Sequence, residues 1–249
     1  MSILVVGASG TTGRLLVEQL LVRNQKVKAV VRDPEKLPKN FINDKNLTVI
    51  QASILALDDN EMRQLVNECS AIASCLGHNL SLKGLYGHPR KLVTESVRRL
   101  CEAIQTNNPL RPQKFILMNT AGNVNRDIKE TVSIAQRLVT GIIRVLLPPH
   151  SDNEDASDYL WQVIGQENEA VEWSVVRPDD LINEESVSAY ELHPSPIRSA
   201  IFNAGKTSRI NVAHFMAELI TDEKIWNKWK GQMPVIYNIM PDGKESGKA

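Results

Sequence analysis

Three glycines at fixed spacing, Gly7, Gly10 and Gly13, follow directly on the apolar run Ile3-Leu4-Val5-Val6. Four consecutive apolar residues suit a strand buried on both faces. The residues beyond, with Leu15, Leu16, Leu20 and Val22 giving one apolar side, suit a helix over Thr11–Arg23. At such a junction each glycine has its own task. Gly7 ends the strand in a tight turn, Gly10 lets a phosphate approach the backbone, and Gly13 lets the helix pack closely on the sheet. The helix start adds unpaired N–H groups and the positive end of a dipole. Ser9, Thr11 and Thr12 offer hydroxyl groups beside them. The stretch is expected to hold the pyrophosphate of NADP(H) or NAD(H); the alternative is a tight turn with no ligand.

Strand and helix patterns then alternate. Strands are expected at Val27–Val31, Leu47–Ile50, Ala71–Leu76, Lys114–Met118, Trp173–Val176 and Val235–Ile239. Helices are expected at Asp58–Glu68 with Asp58 as cap, Pro89–Thr106, Asp127–Leu147 ended by Pro148-Pro149, Asn153–Gly165 and Val212–Thr221. This order implies an α/β fold, a Rossmann-type doubly wound parallel sheet with helices on both faces. The whole chain, 1–249, reads as one such domain. Residues 179–211 form a small irregular C-terminal excursion on the substrate side, and 241–249 a frayed tail.

Composition removes several classes. The 249 residues carry 29 basic and 29 acidic side chains, so no surface for tracking nucleic acid is expected. The longest apolar stretch, Leu138 to Leu147, is interrupted by Thr140, Gly141 and Arg144 and is too short for a membrane span. Three scattered cysteines, Cys69, Cys75 and Cys101, fit neither a disulfide framework nor a metal site. A cytoplasmic protein is expected. Gly205-Lys206-Thr207 looks like the end of a phosphate-binding loop, but the required first glycine is Ala200. His193 and His214 lack partners at metal-ligand spacing. Trp226 and Trp229 share a lysine-rich segment that is expected to pack on the domain.

The end of the second strand bears on the choice of cofactor. An acidic residue there would bind the ribose hydroxyls of NAD(H). Arg32 stands there instead, and a guanidinium suits a 2′-phosphate or stacks on adenine. NADP(H) is favoured, while Asp33 keeps NAD(H) open.

With these residues in view, the sequence resembles the atypical short-chain dehydrogenase/reductases, in their NmrA-like, NAD(P)H-binding branch with flavin- and biliverdin-reductase-like members. Three stretches over about Ser2 to Ile220 carry the resemblance. They are Val5–Gly13 with Val30–Pro34, Leu117-Met118-Asn119-Thr120-Ala121-Gly122, and Trp173–Leu181 with its strand-then-Arg-Pro pattern. The resemblance implies that Leu76 and Gly77 flank the adenine side, that Asn119 and Thr120 lie by the nicotinamide ribose, and that Arg177 and Pro178 bring backbone near the carboxamide. Where the family often has aspartate after the third strand, this chain has Ser53 as a weaker substitute.

The family's usual Tyr-x-x-x-Lys pair, which moves the proton at the reacting carbonyl, is missing. Alignment puts Pro149 at the tyrosine position and Asn153 at the lysine position. Tyr159 is four residues before Val163, not a lysine. Four readings stay open: an acceptor protonated by water, His150 as a substitute acid, loop residues such as His78 or Tyr86 entering the cleft, or cofactor binding without turnover. Asp152 and Asn153 could simply cap their own helix. The expected function is NADP(H)-dependent reduction of a small carbonyl, quinone or flavin-like acceptor, or else a non-catalytic NADP(H)-binding sensor acting on a protein partner. Epimerisation or dehydration of nucleotide sugars is disfavoured, since it also relies on Tyr/Lys.

Overall fold

The computed structural model describes residues 1–78, 90–123, 125, 148–200 and 203–239. The expected helix at 127–147 and the tail 241–249 lie outside them. Strand β1 (Ser2–Val6) forms where the sequence is most apolar, and both its faces are covered. Ile3 and Val5 point into one core, Leu4 and Val6 into the other. Alternation of that kind within a continuous apolar run is the mark of a central parallel strand.

Helix α1 (Thr11–Val22) follows, then β2 (Val27–Val31), a short α2 (Lys39–Ile42), β3 (Leu47–Gln51), α3 (Asp59–Val66), β4 (Cys69–Ser74), α4 (Leu92–Asn107) and β5 (Gln113–Met118). Next come α5 (Pro148–Tyr159), β6 (Val171–Pro178), β7 (Asp180–Ile182), β8 (Tyr190–His193), β9 (Lys206–Ser208), α6 (Arg209–Thr221), α7 (Glu223–Trp229) and β10 (Val235–Asn238). The main sheet runs β3-β2-β1-β4-β5-β6-β10-β8. All its pairs are parallel except the edge strand β8, antiparallel to β10. The chain winds outward from β1 to β3, returns to β4 and winds the other way. The gap between β1 and β4 is therefore the switch point where ligands of such sheets bind.

One face of the sheet is covered by α1 and α6, through Leu16, Val17, Leu20, Phe215 and Met216. Trp226 and Trp229 of α7 join this core, 1% and 4% exposed, so the lysine-rich segment packs as expected. The Trp226 indole donates to Glu172 at 2.8 Å, and Lys230 pairs with the same carboxylate at 2.7 Å. The other face is covered by α3, α4 and α5, through Met62, Val97, Leu100 and Ala156.

Two expectations need correction. Pro148 and Pro149, the first described residues of α5, are themselves helical, so this helix already covers positions before the expected Asn153. That helix then loosens into a single π turn, Leu160–Ile164, closed by Gly165 at φ +73°. The excursion after Pro178 contains β7, β8 and β9, with β7 and β9 paired in parallel. Lys206 and Thr207 lie in β9, in keeping with the absence of the first glycine of a phosphate loop.

Asp58 caps α3 as expected, with a reciprocal pair in which Glu61 N–H donates to Asp58 and Asp58 N–H donates to Glu61, both at 2.8 Å. Replacing Asp58 with Ala should cost about 1 kcal/mol, measured as a lower urea midpoint with unchanged slope.

Candidate functional site

At the switch point a groove of about 270 Å³ runs over the carboxyl ends of β1, β2 and β4. Its floor is Val6, Gly7, Ser9 and Gly10. Arg32, Lys36 and Ser53 stand at one end, Leu76 and Gly77 along the wall. Among the described residues a larger recess, about 340 Å³, lies between α3 and α4 beside Asp59, Arg63, Arg99 and Glu102. It touches no strand end, and its Arg99 is already paired with Asp59 at 3.1 Å.

The three loop glycines are required for different reasons. Gly7 sits at φ +75°, and a Cβ there would come 2.6 Å from the carbonyl of Cys75. A Cβ on Gly13 would stand 2.2 Å from the Gly7 oxygen. Both positions hold backbone against backbone. Gly10 is less crowded, with the Gly7 oxygen at 3.1 Å as the near neighbour of an added Cβ. Gly10 is also the N-cap of α1 and supplies no side-chain cap, so the first-turn N–H groups face the groove end without an internal acceptor. Ser9 lines the groove and Thr11 is exposed, but Thr12 is only 5% exposed and lies beneath the loop.

The acidic alternative at the end of β2 is occupied elsewhere. The Asp33 carboxylate accepts the Glu35 N–H at 3.2 Å, capping the turn Pro34–Lys36, and lies 3.7 Å from Lys36 Nζ. Arg32 and Lys36 therefore give this end of the groove two exposed cations. Lys36 escaped the sequence reading because the turn that brings it back beside Arg32 is short and irregular.

The remaining expected residues divide. Asn119 ends β5 and is 7% exposed. Its carboxamide donates to the Asn153 carbonyl at 2.8 Å and accepts from Thr120 N–H at 2.9 Å and Asn123 at 2.5 Å. Asn119 thus joins β5 to α5, and the Thr120 hydroxyl accepts from Gly122 N–H at 3.2 Å. Arg177 is wholly buried. Its guanidinium donates to the carbonyls of Met233 and Asn123, both at 2.7 Å, and of Pro194 at 3.1 Å. Arg177 and Pro178 pair in register with Val235 and Ile236 of β10. The Arg177 side chain is a strut inside the protein, which leaves only main chain at this position for a ligand.

Tyr86 and the His150 side chain lie outside the described residues. His78 follows Gly77 directly and bonds through Nε2 to Asp152 at 2.7 Å. Asp152 does not cap its own helix; it caps α4, accepting from Val93 N–H at 2.8 Å and Thr94 N–H at 2.9 Å. Cys75 borders the groove, but burial pushes its thiol up to about 12, so it stays protonated and unreactive. Burial also raises Tyr159 to about 12, away from the activated state of a proton-transfer tyrosine. His214 Nδ1 bonds the Tyr190 hydroxyl at 2.9 Å and His193 lies 3.2 Å from Glu191. Among the described residues no group of three His, Cys, Asp or Glu side chains is placed to hold a metal ion, and no helix is long and apolar enough to cross a membrane.

The crowding around the glycines yields a discriminating pair. Gly10→Ala should keep the melting temperature within a few degrees yet weaken NADPH binding at least about tenfold, because the methyl stands where phosphate would approach. Gly13→Ala should lower the melting temperature itself. Thermal melts with and without NADPH check both.

Comparison with known proteins agrees with this geometry. An uncharacterised chloroplastic protein of Arabidopsis thaliana is 36% identical over 75 residues, 30% of this chain and 27% of that protein's length. The aligned part thus spans about a quarter of the relative. A short-chain dehydrogenase/reductase from Veillonella parvula, solved in complex with NADP, superposes with a TM-score of 0.68 over 99% of both chains at 16% identity. ChuY, an anaerobillin reductase from Escherichia coli O157:H7, superposes with a TM-score of 0.67 over 99% of this chain and 100% of its own, also at 16% identity. At such identities the likeness is one of fold. The family model for NAD(P)H-binding proteins matches residues 7–223, from the first glycine of the loop to the start of α7, and the chain belongs to that family.

Proposed function

We propose that the protein is an NADP(H)-dependent oxidoreductase of the atypical short-chain kind that reduces a small carbonyl, quinone or flavin-like acceptor without a Tyr/Lys pair. The observation that carries the NADP(H) preference is the pair of cations, Arg32 and Lys36, at the groove end, with Asp33 held in a cap. Two exposed cations suit a 2′-phosphate, and a carboxylate already bonded to its own turn suits ribose hydroxyls poorly. Gly10 and the first turn of α1 would take the pyrophosphate, and Leu76 and Gly77 would border the adenosine. Bound NADPH would supply the hydride. Ser53 stands beside the cations and can add a hydroxyl contact.

Two structural neighbours, an anaerobillin reductase and a short-chain dehydrogenase/reductase solved with NADP, support a reductive role. The free thiols Cys69, Cys75 and Cys101 suit a reducing, cytoplasm-like compartment. A second reading, an NADP(H)-binding sensor that acts through a protein partner, is favoured by Pro149 and Asn153 standing in α5 where tyrosine and lysine would serve.

Two measurements decide. NADPH oxidation against quinones, flavins and aldehydes should show turnover; tight NADPH binding with none of these acceptors reduced would replace the first reading by the second. Arg32→Ala and Lys36→Ala should each weaken NADPH about tenfold, roughly 1.4 kcal/mol, while NADH binding changes less than about twofold. Equal losses for both cofactors would refute the NADP(H) assignment.

A further inference from the structure

One wall of the groove is a stretch with little regular structure of its own. After β3 the chain passes through Ala52, Ser53, Ile54 and Leu55, which all line the groove. A single 3₁₀ turn, Ile54–Ala56, orders them, with the Ala56 N–H on the Ser53 carbonyl at 2.8 Å and no side-chain cap. So short a turn is not stable by itself. Ile54 is 5% exposed and belongs to the core of Met62 and Leu100, while Leu55 and Leu57 are half-buried at its edge. Arg99 of α4 reaches this stretch from across the fold. Its Nη1 donates to the Leu55 carbonyl at 3.3 Å and its Nη2 to the Leu57 carbonyl at 2.6 Å. The Arg99 side chain is 14% exposed, whereas that of its carboxylate partner Asp59 is 96% exposed. An ion pair to so exposed an acid contributes little. Bonds from a shielded guanidinium to main-chain carbonyls are charge-assisted and directional.

Helix α4 thus meets the groove twice, directly at Leu92 and indirectly through Arg99. Ala52, Ile54, Leu55, Leu76 and Leu92 give this part of the groove apolar walls, in the same groove as the cations Arg32 and Lys36. Phosphate suits the cations, and the flat face of a purine suits the apolar walls. On the reading that the groove binds NADP(H), we infer that Arg99 is a positioning residue for the adenine base. By gripping the Leu55 and Leu57 carbonyls it holds Ile54 and Leu55 at a spacing that admits one planar base. Arg99 touches no cofactor atom. It fixes the wall before the ligand arrives, and such preorganisation raises affinity by lowering the ordering cost of binding. The base is common to NADPH and NADH, so Arg99 serves both, unlike Arg32 and Lys36.

The test measures binding to the full-length protein of NADP⁺ and of its etheno derivative, in which a third ring is fused to the adenine. Arg99→Met keeps the length of the side chain without its donors. It should weaken NADP⁺, and NAD⁺ by the same factor, about tenfold. The etheno derivative should bind the wild type more weakly than NADP⁺, and Arg99→Met should weaken it less than about threefold, because a loosened wall excludes the wider base less well. Arg99→Lys returns one donor and should bring NADP⁺ back to within about threefold of wild type with the etheno affinity unchanged. Asp59→Ala should leave both affinities within about twofold. A general weakening of the fold would lower NADP⁺ and etheno affinities alike. Equal losses for the two, or an unchanged NADP⁺ affinity in Arg99→Met, therefore overturn the inference while the NADP(H) reading stands. Should Arg99→Met not fold, Arg99→Lys decides by the same comparison, and no loss or an equal loss there overturns the inference. If the wild type binds neither NADP⁺ nor NADPH, both fall.

Discussion

Backbone pressed on backbone at the end of β1 is the constraint on which the rest of the site depends. Gly7 lies so near the Cys75 carbonyl, and Gly13 so near the Gly7 oxygen, that no side chain fits at either place. This closeness draws the carboxyl ends of β1 and β4 together and seats α1 on the sheet with its N-terminus at their junction. The groove is what remains above that contact. Its electrostatics follow from the same geometry, with the helix end supplying partial positive charge in the middle and Arg32 with Lys36 supplying whole charges at one side.

Much of this was legible in the sequence because it depends on local rules. The glycine spacing, the continuous apolar runs of β1, β2, β4 and β5, and the cap at Asp58 each specify a conformation within a few residues. Elements that depend on distant partners were not legible. Strand β8 is half-buried at an edge and has no apolar run, and β7 and β9 are three residues each, held by their mutual pairing. Pro148 and Pro149 read as a helix end, yet both stand inside α5. At the site, Arg32 was visible as a motif position, whereas Lys36 required the fold of a short turn. The joining of His78 to Asp152 spans 74 positions and leaves no local trace.

The glycine loop and helix α5 are held in place by different means. The loop keeps the three glycines that its backbone contacts require, or leave room for. Helix α5 is tied down through main-chain and carboxylate contacts, Asn153 to Asn119 and Asp152 to α4.

The buried guanidinium of Arg177 has a consequence for how the chain can be altered. Among the described residues its carbonyl partners come from the turn at Asn123, the segment at Pro194 and the approach to β10 at Met233. A cation without solvent needs all of them at once, since each missing acceptor leaves charge unsatisfied in a medium that cannot screen it. The excursion after β6 is thereby bonded to β6 through this side chain as well as to the sheet through the β8–β10 pairing. Grafting a different excursion onto this scaffold, to change what the groove accepts, would need to return a carbonyl to the place of Pro194 or remove the arginine with it.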